Sequence, residues 1–399
     1  MACIITSCRF LFFEIDTLLN MVYGLSFFSP LSFFSEDLAS KPGILLCLTV
    51  FFTAFIIANW LMPQAIRFAH RFQLVDHPSF RKKHIKSTPI LGGVSIFISV
   101  VFALILSSLY LYNYPNVELD FKIVFGLCSA VSLMVFFGLK DDILAVSPLE
   151  KIFFQIITAL FVIVSCGVRI DNFAGLFDVY ELPIFLSYSF SVFVFVIVVN
   201  AFNLIDGIDG LSASIGLLCT FSFGVFFYLN ELVAQSIFMF CYTGALTAFL
   251  IYNFKKRLFL GDNGSMGLGV VIAFGVFSII SISNGANLVQ GSGYFFNNTS
   301  VIVLALISYP LLDTIRVFCV RLIKGNSPFS PDRNHLHHHL LNLKLSHFES
   351  TLLVVVYTIL ITSIAFALNS YNITHHFFIM LLLSSLIYII SWISNRKQI

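Results

Sequence analysis

The chain has 399 residues, 58% of them hydrophobic and only 11% charged, with a mean hydropathy of +0.96. A soluble domain carries about 25% charged residues, so a soluble enzyme and a nucleic-acid-binding protein are both excluded. The formal charge of +2 says little, because in a membrane protein the placement of Lys and Arg matters more than their sum.

Residues 1–43 are apolar but broken by Arg9, Glu14, Asp16, Pro30, Glu36 and Asp37, without the basic, apolar and small-residue order of a signal peptide. They read as an interfacial extension ahead of a single multi-span domain over 44–394, with 395–399 as a cytoplasmic tail. Eleven apolar stretches follow, at about 44–66, 89–113, 121–139, 151–168, 183–202, 211–229, 234–252, 266–284, 300–320, 351–368 and 375–394. A stretch of ~18 residues suffices to cross a hydrocarbon core. None of them alternates with a period of two, which argues against a β-barrel. The expected fold is therefore all-α: a polytopic membrane protein of about eleven transmembrane helices. If the loops alternate sides, one side collects 17 Lys and Arg and the other 4, with Arg316 inside a span. That asymmetry places the N-terminus outside and the C-terminus in the cytoplasm. The eight Cys are scattered, with no CxxC pair, and read as buried thiols.

Four polar islands interrupt this apolar background, and the alternation puts all of them on the cytoplasmic face. The first is Asp141-Asp142, at the end of the third span. Adjacent carboxylates repel unless a cation lies beside them. The pair suits a divalent metal or proton abstraction, and equally a solvated loop before Pro148. Lys151, ten residues on from Asp141, is an anion contact or a snorkelling interface residue. The second island, Asn200 to Gly210, spaces Asn200, Asn203, Asp206 and Asp209 by three, which on a helix keeps them on one side. It suits ribose hydroxyls, a base edge or a metal; a polar helix terminus is the plain alternative. The third, Gly261-Asp262-Asn263-Gly264-Ser265, opens the eighth span. Free N–H groups there would bind phosphate, and its carboxylate would hold Mg²⁺. The fourth, Arg333-Asn-His335-Leu-His337-His338-His339, lacks the Cys or His-Glu-x-x-His company of a zinc site. It fits a phosphate cradle better, or a solvated loop. Together the islands suit phosphoryl-group transfer with one lipid-borne partner.

Five motifs in order resemble those of the polyprenyl-phosphate N-acetylhexosamine-1-phosphate transferases, the MraY/WecA superfamily (glycosyltransferase family 4). They are Arg81-Lys-Lys-His-Ile-Lys-Ser-Thr-Pro-Ile-Leu-Gly-Gly93, Gly138-Leu-Lys-Asp-Asp142, Asn200-Ala-Phe-Asn-Leu-Ile-Asp-Gly-Ile-Asp-Gly-Leu211, Phe259-Leu-Gly-Asp-Asn-Gly-Ser-Met266 and Asp332-Arg-Asn-His-Leu-His-His338. The resemblance spans roughly residues 70–340. It implies transfer of a sugar-1-phosphate from a UDP-sugar to undecaprenyl phosphate with release of UMP, at a bacterial inner membrane, and it leaves room for a homodimer. It implies Mg²⁺, with Mn²⁺ as a substitute, on Asp262, Asp142 and Asp209. Asp141, Asp142 and Asp262 become the catalytic set. Asn203, Asp206 and Asp209 would hold the nucleotide side; His335, His337, His338 and Arg333 the phosphates or sugar; Lys86 and Lys151 further anion contacts. The His-Leu-His-His form is similar to the WecA/TagO branch, and Leu340-Leu341 does not complete the MraY-type ending. The MraY-type phospho-muramoyl-pentapeptide transferase, a cation-coupled transporter and a non-catalytic membrane scaffold are the rival readings; no internal repeat of the transporter kind is visible.

Overall fold

The computed structural model describes residues 42–76, 87–111, 120–144, 146–173, 175–284, 298–325, 327 and 334–390. The proposed extension before residue 42, the tail 395–399, Lys86 and Arg333 lie outside these residues. The chain separates into two units, Met1–Leu46 and Cys47–Ile399; every contact described below lies in the second.

The described chain is helical apart from one short antiparallel ladder. The helices are α1 (Pro42–Arg71), α2 (Gly92–Leu111), α3 (Phe121–Leu144), α4 (Pro148–Cys166), α5 (Ile184–Leu204), α6 (Leu211–Leu229), α7 (Val233–Asn253), α8 (Gly261–Asn284), α9 (Thr299–Leu306), α10 (Ser308–Ile323), α11 (Leu336–Asn342), α12 (His347–Ala367) and α13 (Ile373–Ser385). The ladder pairs β1 (Val75–Asp76) with β2 (Thr88–Pro89), with Asp76 opposite Thr88. Among the described residues eight helices, α1, α3 to α8 and α12, are long and apolar enough to cross a membrane, and α9 with α10 makes a ninth if the bent pair is one span. The chain is thus a multi-pass helical membrane protein. Each expected stretch contains described helix, but Gly92–Ser108 of α2 and Ile373–Tyr388 at α13 are shorter than the eight spanning helices, so the described residues support eight or nine spans rather than eleven.

The expected span at about 300–320 is two helices bent by 68° at Ile307. Pro310 explains the break: it offers no N–H to the last residue of α9, Leu306, and its ring would collide with that carbonyl.

The bundle is built around α8, of whose apolar window 89% is buried, against 28% for α1. It packs on α3, α5, α2 and α6. Between apolar helices surrounded by lipid tails, close approach of backbones supplies the attraction, and small residues permit it here. A Cβ on Gly93 would lie 2.1 Å from the Cα of Gly264, and one on Gly138 would lie 2.5 Å from the Cα of Asn263. The first turn of α8 is thereby pressed between the start of α2 and the end of α3. The backbone completes the junction: Gly92 and Gly93 donate to the carbonyls of Phe259 and Leu260, each at 3.1 Å, and Phe259 donates to Pro89 at 2.8 Å.

Candidate active site

The first N–H groups of any helix lack an internal partner, and a carboxylate there is favoured by the helix dipole. Because α3 ends where α8 begins, Asp142 fills this role for α8. Its Oδ1 accepts from the Asp262 N–H at 2.9 Å, and its Oδ2 from the Asn263 N–H at 3.1 Å and the Asn263 Nδ2 at 2.6 Å. These N–H groups, expected to be open to phosphate, are occupied by the Asp142 carboxylate. Asn263, wholly buried, extends the clamp by donating to the Ile90 carbonyl at 2.7 Å and accepting from the Val94 N–H at 2.9 Å.

Asp141, beside Asp142, is left for a cation. The Ser147 hydroxyl accepts from the Glu150 N–H and Pro148 holds the first helical position, so α4 starts with Lys151 in its first turn. The Lys151 ammonium lies 2.5 Å from Asp141 Oδ2 and 2.9 Å from Asp262 Oδ2. Asp262 Oδ1 accepts from Asn203 Nδ2 at 2.8 Å, and the same nitrogen reaches Ser265 Oγ at 2.9 Å. One turn back, Asn200 and Gln155 exchange amide bonds of 2.7 and 3.3 Å, which tie α5 to α4 behind Lys151 and Asn203.

The three-residue spacing of the second island keeps only Asn200 and Asn203 on a helical face. The helix ends at Leu204, and Asp206 and Asp209 fall in the turn that follows, closed by Gly210 at φ 81°. Gly210 donates to the buried Asn253, whose amide in turn holds the Leu258 carbonyl at 2.8 Å. The Asp206 carboxylate has no partner among the described residues and keeps part of its surface on the cavity. Desolvation by the surrounding protein, then the charges of Asp262, Asp142 and Asp209, push it well above the usual carboxylate range. Asp209 is mostly buried, with Oδ2 at 2.6 Å from His347 Nδ1 and 3.9 Å from Lys256 Nζ.

The five carboxylates and Asn203 line a cavity of about 630 Å³, as do Asp76, His338, Asn342 and His347; Lys151 and Asn263 contact these side chains without lining it. Asp141, Asp142, Asn203, Asp206, Asp209 and Asp262, from three separate stretches of the chain, thus line one cavity.

The histidine segment behaves differently from expectation. His338 lines the cavity, but His335 and His337 do not. His335 Nδ1 lies 2.8 Å from Asp313 Oδ2; Asp313 Oδ1 accepts from the Leu336 N–H at 3.1 Å and from Arg316 Nη2 at 2.8 Å. Arg316 also holds the Asn334 carbonyl. His337 stacks between His335 and His338 and its ring meets the backbone of Gly207, where a Cβ would be 2.2 Å from Nε2. Burial, then His338, push its pKa well below the usual value, so the ring is neutral. Two of the three histidines therefore build the segment, and one is presented to the cavity.

Sequence reasoning missed Asn263, Asp313, Arg316 and His347. Arg316 and Asp313 carried a signal, being opposite charges three residues apart inside an apolar run. His347 carried another: Ser346-His-Phe-Glu349 is a capping box, and both of its bonds form, at 3.2 and 2.7 Å.

Chemically, the cavity offers hard oxygen donors in excess of cations. Asp141 and Asp262 share one ammonium, and Asp206 has none. Among the described residues no three His, Cys, Asp or Glu groups could by themselves hold a metal ion. Mg²⁺ asks for less, one or two carboxylates plus the phosphate oxygens of a ligand, and the donor set fits it.

The family model described as glycosyl transferase family 4 matches residues 124–282. The decaprenyl-phosphate N-acetylglucosaminephosphotransferase of Mycolicibacterium smegmatis is 30% identical over 339 residues, covering 78% of each chain. The undecaprenyl-phosphate alpha-N-acetylglucosaminyl 1-phosphate transferase of Yersinia pestis is 28% identical, over 75% of this chain and 78% of its own. The probable undecaprenyl-phosphate N-acetylglucosaminyl 1-phosphate transferase of Bacillus subtilis is 28% identical, over 84% and 88%. With a relative this similar covered over three quarters of its length, and the family's motifs gathered around one cavity, the chain belongs to glycosyl transferase family 4, the superfamily its motifs resemble.

Proposed function

We propose that the protein transfers a sugar-1-phosphate, N-acetylhexosamine-1-phosphate, from a UDP-sugar to undecaprenyl phosphate and releases UMP, starting a lipid-linked surface glycan. The observation that carries this is the convergence of Asp141, Asn203, Asp206 and Asp262 in one cavity formed at the ends of apolar helices, with the Lys151 ammonium paired to Asp141 and Asp262. The names of the relatives supply the acceptor class and the N-acetylglucosamine of the donor. The excess of Lys and Arg on one set of loops supports a site facing the cytoplasm of a bacterial inner membrane.

In this reading an oxygen of the lipid phosphate attacks the β-phosphorus of the donor. The new P–O bond joins lipid and sugar phosphates; the bond to the α-phosphate oxygen breaks, and UMP leaves with its electron pair. The lipid phosphate has a second pKa near 6 and needs no strong base. Asp262 and Asp141, with Asp206 within the same cavity, are the residues that would hold Mg²⁺, which when bound neutralises diphosphate charge. Lys151 supplies a fixed positive charge for the transferring phosphoryl group, and Asn203 orients Asp262. Asp142 fixes the start of α8 and with it the position of Asp262. Catalysis is then alignment and charge neutralisation.

The test combines purified protein, undecaprenyl phosphate, Mg²⁺ and a panel of UDP-sugars, with UMP release as the readout. Release with an N-acetylhexosamine donor is expected. No release with any of them, alongside cation flux in proteoliposomes, would favour a transporter.

A further inference from the structure

Lys255, Lys256 and Arg257 stand in a row between α7 and α8. A short basic run beside a membrane span is ordinarily a solvated edge. All three residues are exposed, but only Lys256 lines the cavity.

The backbone explains why. Arg257 N–H donates to the Tyr252 carbonyl at 3.0 Å and Lys256 N–H to the Asn253 carbonyl at 2.8 Å, the paired bonds of a Schellman turn at the end of α7. Such a turn needs one left-handed residue, and Lys256 supplies it at φ 55°. Glycine is the usual occupant, because a Cβ is disfavoured in that conformation. Lysine holds the position at a cost in stability, so folding alone does not account for it. The turn is anchored from within: the buried Asn253 amide donates to the Leu258 carbonyl at 2.8 Å and accepts from the Gly210 N–H, beside Asp209.

Six carboxylates line the cavity, and among the described residues Lys256 is the only Lys or Arg on its wall. Lys151 is already shared between Asp141 and Asp262. The Lys256 ammonium lies 3.9 Å from Asp209 Oδ2, beyond hydrogen-bond reach, and has no acceptor within reach among the described residues. Asp209 has a nearer partner in His347, at 2.6 Å. With 64% of the lysine side chain exposed, its pairing with Asp209 is weak. An ammonium has three donors and no acceptor, so its role toward a ligand is fixed. It gives hydrogen bonds to oxygen, and most strongly to an anionic one.

The geometry points to Lys256 as a phosphate-binding residue, presented at the exposed edge of the cavity by a left-handed turn. The inference rests on the proposed transfer reaction, in which both substrates carry phosphate. It adds to that reaction an unengaged cation on a wall of carboxylates that would otherwise repel either substrate.

Three variants separate contact from scaffold. Lys256→Met keeps the length and removes the charge, Lys256→Arg keeps the charge, and Lys256→Gly removes the side chain while relieving the turn. In steady-state UMP release Lys256→Met should raise the KM for one phosphate substrate about tenfold with kcat near wild type, the loss of one charge-assisted hydrogen bond at an exposed site, ~1.4 kcal/mol. Lys256→Arg should recover most of that KM. Lys256→Gly should raise it as Met does, yet melt at or above the wild-type midpoint. The substrate affected assigns the phosphate. If the UDP-sugar KM rises and inhibition by UMP weakens while inhibition by uridine does not, the phosphate is the nucleotide's. If the undecaprenyl phosphate KM alone rises, it is the lipid's. Both results support the inference. Wild-type KM values for both substrates in Lys256→Met overturn it. So does inhibition by uridine that weakens as much as inhibition by UMP, which puts the contact on the nucleoside. A Lys256→Gly protein that melts below wild type as its KM rises also overturns it, the signature of a structural turn. A wild-type protein that turns over no UDP-sugar removes the transferase reading itself, and this inference with it.

Discussion

Asp142→Asn separates two accounts of the paired carboxylates. Asn has the same shape, but one of its two oxygens becomes an NH₂ group. If the remaining oxygen stays on the Asp262 N–H, the NH₂ faces the Asn263 N–H and the Asn263 amide, which are donors at 3.1 and 2.6 Å in the wild type. One buried N–H then loses its acceptor, at about 1–3 kcal/mol. Loss of the negative charge from the start of α8 adds roughly 0.5–1 kcal/mol. The sum, about 3 kcal/mol, changes the folded-to-unfolded ratio by roughly 100-fold and should lower the melting midpoint by about 5 °C. Thermal scanning of the detergent-solubilised protein reads this directly, with Asp262→Asn as the comparison. Asp262→Asn should abolish UMP release while shifting the midpoint less than Asp142→Asn does, because the amide oxygen can keep the Asn203 bond and Lys151 keeps Asp141. An Asp142→Asn protein that melts like wild type but is inactive would refute the capping account and return Asp142 to the chemistry.

Asp313→Ala removes two hydrogen bonds from the histidine segment and leaves Arg316 without its carboxylate; about 3 kcal/mol of destabilisation is expected, read as a lower midpoint together with a raised donor KM. Gly93→Ala forces a Cβ to 2.1 Å from the Gly264 backbone, so the yield of folded, extractable protein should collapse. In contrast, Gly167→Ala meets no neighbour within 4 Å and should cost only the ~1 kcal/mol of a side chain at positive φ. His337, depressed below its ordinary value of 6.5 in the folded state, makes the folded state bind fewer protons than the unfolded one. Stability should therefore fall as the pH drops below about 6.5, by up to ~1.4 kcal/mol per unit, and level off below the folded value. Melting midpoints from pH 7.5 to 5.5 check this, and His337→Gln should flatten the acid limb.

What the sequence determined by itself was the class of molecule and the membership of the site. Long apolar runs leave a chain no option but helices in a bilayer, since every backbone group must find its partner within the segment. Asp and Asn at the ends of such runs stand out against lipid, so Asp141, Asn203, Asp206 and Asp262, which line the cavity, were legible as candidates before any fold was known. The occupation of each was not. Asp142 and Asp141 are adjacent and chemically identical; only the meeting of α3 with α8 turns one into a helix cap and the other toward Lys151. His335, His337 and His338 are equivalent as a motif, and only the buried Asp313 and the bare Gly207 backbone decide that His338 faces the cavity. His347 lies outside the acid and histidine motifs and was found only because α12 brings its first turn to Asp209. Hydrophobicity is a property of residue types and can be read along the chain; hydrogen-bond partnership is a property of pairs, and the pairs exist only once the helices have packed.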